Sequence, residues 1–312
     1  MVASAMERRT FLAGLVAAGA AAAAPSLIAQ SATLSTGRVT LLHTNDMHSH
    51  IEPFGPGNGQ LSGQGGMARR AALVKQLRKD NANVLLLDAG DVFQGTPYFN
   101  QFKGRLEYKL MSMMGYDAAT LGNHDFDNGV EGLLAAMEEA TFPFVNCNFD
   151  IKGAPALAKR IQPWLVRDLP GIRVGITGVC LPFSGLVSPK NHAGLLWMDP
   201  VACLKPVVKH LRDVEKVDLV VLLSHLGYDL KGEGLDDLTL PRLVPGIDAI
   251  IGGHSHTFLD QPTRIQQPSG ETLIFQVGIG GVVLGRMDFA VKHGRLLASS
   301  GMALPLNTPV LA

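Results

Sequence analysis

The residues of this chain best suited to chemistry fall into five short groups spread over its first 256 positions. They are Asp46-x-His48, Gly90-Asp91, Gly122-Asn123-His124-Asp125, His225, and Gly253-His254-Ser255-His256. Taken singly, each has an ordinary explanation, since an Asp after a strand usually forms a turn and a solitary His is usually a satisfied polar residue. Together they mix imidazole, carboxylate and one amide oxygen, with no thiolate. That donor set suits Zn²⁺, Mn²⁺ or Fe in a reactive centre rather than a structural zinc site. The ligands are too many for one ion and sufficient for two that share a carboxylate. Two cations about 3.5–4 Å apart stabilise both the attacking and the leaving oxygen of an in-line displacement.

The elements that must carry these residues are legible as apolar runs. Runs at 39–43, 84–87, 144–147, 174–178, 219–223, 249–251, 273–277 and 287–291 read as strands, continuous rather than alternating, as in sheets buried on both faces. The run 118–121 precedes Asn123 and His124. Helical spacing appears at 67–77, where Met67, Ala71, Val74 and Leu77 share a face opposite Arg69, Arg70, Lys75 and Arg78, and again at 130–137 and 201–211. The Gly- and Pro-rich segment 51–66 reads as a loop. Almost every strand in the first two-thirds ends in a carboxylate, amide or imidazole. Ligands of open α/β sheets bind beyond the carboxyl ends of strands, so these side chains are expected to converge.

Composition excludes several classes. Lys+Arg and Asp+Glu are equal at 27 each, so no global field draws the chain to a nucleic acid polymer or an anionic membrane. The three cysteines, Cys147, Cys180 and Cys203, show no CxxC spacing and read as plain buried thiols, with an unassigned disulfide between two of them after export as the alternative. Arg8-Arg9-Thr10-Phe11-Leu12 precedes a run of Ala, Gly, Leu and Val ending near Pro25, the layout of a secretory signal with a paired arginine. It resembles a twin-arginine signal, with Met6 as an alternative start and cleavage expected around 29–32. The run is shorter than the ~20 residues of a spanning helix, so no membrane anchor is expected in the mature form. Residues 1–31 therefore read as a cleaved signal peptide and 38–305 as one catalytic domain, periplasmic or extracellular, exported by the twin-arginine route.

The ordered groups resemble the calcineurin-like metallophosphoesterase signature. The surrounding segments LLHTNDMHSH (41–50), DAGDVFQGTPYFN (88–100), TLGNHDFDNG (120–129) and IDAIIGGHSH (247–256) are similar to the 5′-nucleotidase family. The resemblance implies an α/β fold, a four-layer α/β/β/α sandwich of two mixed sheets with helices outside. It assigns Asp46, His48 and His256 to one divalent metal and Asn123, His225 and His254 to the other, with Asp91 bridging. Zn or Mn is implied, with Fe as a further option. His124 is implied to stand beside the phosphoryl group, oriented by Asp127, with Asn123 also holding phosphoryl charge. Asp125 carries no implied role. Two cations bring the pKa of water toward neutrality and supply a hydroxide nucleophile, so hydrolysis of a phosphate monoester follows.

Other residues have plainer readings. Asp88, Asp117 and Asp150 read as caps or surface groups, and His43 as a core histidine. His50 reads as a support of the site or a structural residue, and His192, His210 and His293 as surface or structural. Phe93, Tyr98 and Phe99 fit either a leaving-group pocket or core packing. Relatives continue into a second, nucleotide-recognition domain that this sequence lacks after Ala312, which points to a small phosphate ester of little base specificity, to a separately encoded C-terminal chain as partner, or to another substrate. The alternatives are a 2′,3′-cyclic-nucleotide phosphodiesterase, a thiosulfohydrolase of periplasmic sulfur oxidation, and a non-catalytic metal-binding subunit.

Overall fold

The computed structural model describes residues 36–268, 270–292 and 295–307; the signal-peptide reading at 1–31 and His293 lie outside them. In chain order the strands are β1 (Gly37–Thr44), β2 (Val84–Asp88), β3 (Ala118–Ala119), β4 (Phe144–Val145), β5 (Phe149–Asp150), β6 (Ile161–Gln162), β7 (Trp164–Leu169), β8 (Ile172–Cys180), β9 (Leu196–Trp197), β10 (Leu219–His225), β11 (Ala249–Gly252), β12 (Thr263–Gln267), β13 (Gly270–Phe275), β14 (Val283–Lys292) and β15 (Arg295–Pro305). The helices are α1 (Met67–Asp80), α2 (Pro97–Phe102), α3 (Arg105–Met114), α4 (Gly129–Met137), α5 (Pro155–Ala158), α6 (Pro200–Asp213) and α7 (Leu240–Leu243).

Two mixed sheets carry the fold. One runs β15-β14-β1-β2-β3-β4-β6, the other β12-β13-β11-β10-β8-β7, and a small β5-β9 pair stands apart. Within them β1-β2-β3-β4-β6 and β8-β10-β11-β13 are parallel, while β14-β15 extend the first sheet and β12 and β7 flank the second in antiparallel pairing.

Alternation along the strands explains the layering. Leu41, Leu85 and Leu87 of the first sheet share one buried cluster with Ile176, Val221 and Leu223 of the second, so these side chains fill the space between sheets. Their neighbours Leu42 and Leu86 belong to a second cluster with Val74 and Leu77 of α1 and Met111 of α3. Val220 and Leu222 join Leu204, Val208 and Leu211 of α6 in the same way. The result is helix, sheet, sheet, helix, as expected. It also explains the unbroken hydrophobic runs, because both faces of each central strand are covered.

The cores of the expected strands are found, with different ends. The run 144–147 pairs only at Phe144 and Val145, because the Asn146 side chain accepts from the backbones of Asn148 and Phe149 at 3.0 Å each and turns the chain. The run 118–121 pairs only at Ala118 and Ala119. Capping sets the helix starts. Asp199 accepts from Val201 N at 2.8 Å with Pro200 in the first turn of α6, and Thr96 accepts from Tyr98 N at 3.2 Å ahead of Pro97 in α2. No helix of the described residues is long and apolar enough to cross a membrane.

Candidate metal centre

The loops after β1, β2, β3, β10 and β11 meet at one end of the paired sheets. Asp46 and His48 follow β1, Asp91 follows β2, Asn123 and His124 follow β3, His225 ends β10, and His254 and His256 follow β11. Their backbones are unusual. Asp46, His48, Asp91, His254 and His256 all hold a left-handed conformation, with φ of 47°, 44°, 55°, 73° and 51°. For a residue with a Cβ this costs on the order of 1–2 kcal/mol and persists only where surroundings over-determine it. Here the surroundings are mutual. Asp46 N donates to Gly90 O at 2.9 Å, His48 N to Asp91 O at 3.0 Å, and His254 N to the Asp46 carboxylate at 2.9 Å. Strain concentrated at chemically capable residues points to a site.

The side chains form two linked groups. In the first, one ligand atom each of Asp46, His48 and His256 lies within 4.8 Å of the others; Asp91, His225 and His254 form the second. His48 Nε2 stands 3.0 Å from His256 Nε2, and His256 Nε2 3.5 Å from Asp46 Oδ1. His225 Nε2 stands 3.1 Å from Asp91 Oδ2, and His254 Nδ1 3.1 Å from Asn123 Oδ1. Asp91 Oδ2 also lies 4.0 Å from His48 Nε2, between the two groups.

Protonation tests whether cations fit. His225 Nδ1 lies 2.8 Å from Ala89 O and His48 Nδ1 3.2 Å from Phe93 O, each placed to donate to a carbonyl. Each ring then turns Nε2 inward, the orientation of a metal-binding imidazole. His225 Nε2 is buried without an aligned hydrogen bond although Asp91 Oδ2 is 3.1 Å away. At that separation the Asp91 charge must be offset by a proton on the ring or by a cation, and the two atoms are close enough to share one divalent ion. Burial pushes His48 and His254 down to about 4, keeping them neutral and able to ligate. Burial pushes Asp46 up to about 7, against the charge of His225. For His225, burial acts downward but the Asp91 carboxylate outweighs it, raising it to about 10, so the metal-free ring carries a positive charge where a divalent cation would stand. Asp46 and Asp91 are buried with no Lys or Arg paired to them among the described residues. Their field calls for positive charge, and the residues present fit a divalent pair.

His124 lies beside this centre. Its ring meets that of His48 edge-on at 5.3 Å, its backbone N donates to Asp91 Oδ1 at 2.8 Å, and its Nδ1 lies 2.8 Å from Asp127 Oδ2. The Asp127 hydrogen bond holds His124 above the usual imidazole range, although partial burial opposes it. The ring is part-exposed, so Nε2 is left for a ligand. Every residue expected at the site is thus in this one constellation.

Several supporting residues were not anticipated. The Asp125 carboxylate, fully buried, accepts from Asp91 N at 3.0 Å, Val92 N at 3.1 Å and Gly122 N at 2.8 Å, tying the β2 and β3 loops together. Asn45 donates to Asp46 Oδ2 at 2.6 Å and to Gly278 O at 2.8 Å, and Gln276 donates to Gly253 O at 2.6 Å. Asp88 is a correction. Instead of a cap or surface group it is fully buried and accepts from Thr44 Oγ1 at 2.6 Å and Gly90 N at 2.9 Å, with burial raising it to about 8. Phe93 and Phe99 are buried core, leaving only Tyr98 near an opening. The sequence signal for Asp125 and Asn45 was their adjacency to ligand positions.

A convergent imidazole–carboxylate centre at the strand ends of a two-sheet sandwich defines a metal-dependent hydrolase. Residues 39–258 match the calcineurin-like phosphoesterase family, and the chain belongs to that family of metal-dependent phosphoric ester hydrolases. It is 34% identical over 300 residues to snake venom 5′-nucleotidase of Gloydius brevicauda, covering 89% of this chain and 50% of that protein. It is 36% identical over 322 residues to 5′-nucleotidase of Rattus norvegicus, covering 93% and 54%. The crystal structure of a 5′-nucleotidase precursor from Thermus thermophilus superposes with a TM-score of 0.78 at 36% identity, covering 86% of this chain and 55% of that one. The chain spans about half the length of the curated relatives it matches and corresponds to the N-terminal part of the 5′-nucleotidase family.

Proposed function

We propose that this chain hydrolyses phosphate monoesters, nucleoside 5′-phosphates foremost, outside the cytoplasm after twin-arginine export, with residues 38–305 as the catalytic domain. Asp46, His48 and His256 would hold one divalent cation, Asn123, His225 and His254 the other, and Asp91 would bridge them. Zn or Mn suits this donor set. The observation carrying the reading is the position of Asp91 Oδ2, 3.1 Å from His225 Nε2 and 4.0 Å from His48 Nε2, shared by both groups.

When bound, the ions supply a nucleophile from water at neutral pH and neutralise charge on the phosphoryl oxygens. The chain's own residues do the rest. Ala89 O and Phe93 O fix the rings of His225 and His48, and Asp125 fixes the backbone that presents Asp91. His124, its proton held by Asp127, donates from Nε2 toward the phosphoryl or leaving oxygen, and Asn123 shares phosphoryl charge.

The test is hydrolysis by the purified chain, stripped of metal and reloaded with Zn²⁺ or Mn²⁺, on AMP, p-nitrophenyl phosphate, its bis-ester and a 2′,3′-cyclic nucleotide. Metal-dependent release of phosphate from AMP supports the reading. Turnover of the generic monoester alone points to a separately encoded chain that supplies nucleoside recognition. Cleavage of the diesters alone overturns it.

A further inference from the structure

Gln276, the residue after β13, is fully buried, and both polar atoms of its side chain face one loop. Its Nε2 donates to Gly253 O at 2.6 Å. Its Oε1 accepts from Ser255 Oγ at 2.9 Å and from Thr257 N. One side-chain amide therefore spans both ends of the segment 253–257. That segment carries His254 and His256, one ligand of each candidate metal group. Both hold left-handed backbones, with φ of 73° and 51°, which a residue with a Cβ keeps only where its surroundings enforce them.

The same strand end reaches the other ligands. Val277 N donates to Asn45 Oδ1 at 2.9 Å, and Asn45 Nδ2 donates to Gly278 O at 2.8 Å and to Asp46 Oδ2 at 2.6 Å. A Cβ at Gly253 would stand 2.7 Å from His225 Nδ1, so the start of the loop lies directly on that ring. Residues 276–278 are thus tied to Asp46 and His256 of the first group and to His254 and His225 of the second. The pattern calls for a neutral amide. Gly253 O requires a donor, Thr257 N and the Ser255 hydroxyl require an acceptor, and a primary amide offers both. A carboxylate there would set a second acceptor against the Gly253 carbonyl and bury a charge. Resting on the ligand assignment above, we infer that Gln276 is a positioning residue shared by the two metal sites. It sets His254 and His256 relative to each other, so its loss weakens both sites together.

The experiment measures Mn²⁺ binding to the metal-stripped full chain, by calorimetry and electron paramagnetic resonance, in wild type, Gln276→Met, Gln276→Glu and His225→Ala. The wild type should bind two ions and give the spectrum of a spin-coupled pair. His225→Ala, which removes one ligand, should weaken one site. Each Gln276 variant should raise both dissociation constants on the order of ten-fold, as for groups that orient metal ligands, and replace the coupled spectrum by that of separate ions. Melting curves of the metal-free chains identify a variant that fails to fold, in which case the other decides. A purely structural role would lower the melting temperature and leave Mn²⁺ affinity untouched. Wild-type affinity at both sites in a folded variant, or a loss confined to one site, therefore overturns the inference. A wild type that binds fewer than two ions overturns the ligand assignment itself, and the shared positioning role with it.

Discussion

His225 lies between two oxygen atoms, with Nδ1 2.8 Å from the Ala89 carbonyl and Nε2 3.1 Å from Asp91 Oδ2. Without a metal the Asp91 carboxylate keeps a proton on the ring, raising His225 to about 10, and a divalent cation held by Nε2 and Asp91 would take that proton's place. His225→Ala should therefore lose one of two bound ions and at least about a hundred-fold in kcat, as for other losses of a group acting on transition-state charge. Metal analysis of the purified variant checks this; two ions retained at wild-type affinity would refute the ligand role.

Asp125 should matter without touching substrate. Asp125→Asn keeps the size but turns an amide N–H₂ toward a backbone donor. With at least one of three buried N–H groups left unmet, the metal-free chain should lose about 1–3 kcal/mol in urea unfolding. A change within about 0.5 kcal/mol would show that these hydrogen bonds are dispensable.

The Asp127–His124 pair predicts a pH effect with a definite sign. Asp127 holds His124 above its ordinary value, so more of the ring stays protonated as pH rises. Asp127→Asn removes that support, and the alkaline fall in kcat should move to lower pH. An alkaline limb left in place would exclude His124 as the proton donor.

The strand ends were readable because parallel strands covered on both faces are continuous apolar runs, and a polar residue just beyond one is conspicuous. That logic located Asp46, Asp91, His225 and His254. It failed where the partner lies far away in sequence. Asp88 reads locally as an ordinary strand-end carboxylate, and only the pairing of β1 with β2 buries it against Thr44. β15 was invisible because it is an edge strand with mostly exposed or half-exposed residues, including Ser299 and Ser300, and so lacks an apolar signature. β7 and β12 share that edge position.

His43 was read correctly as a core residue, and its burial has a cost. Its ring packs edge-on to Phe275 at 5.1 Å, both nitrogens lack partners, and burial pushes it down to about 3. A depressed histidine takes up its proton in the unfolded state first, so stability falls as pH drops from about 6.5 toward 3. At pH 5 the contribution is about 2 kcal/mol. His43→Leu should flatten the difference in unfolding free energy between pH 7.5 and 5 by about that amount, and an unchanged pH dependence would contradict the burial argument.

The most direct measurement is metal stoichiometry coupled to turnover. The metal-stripped chain is titrated with Mn²⁺ or Zn²⁺ while bound ion and AMP hydrolysis are followed together. Two ions should bind per chain, with activity rising from baseline to its full value as the second site fills. Full activity at one ion per chain, or in the metal-free chain, would contradict the shared-carboxylate centre at Asp91.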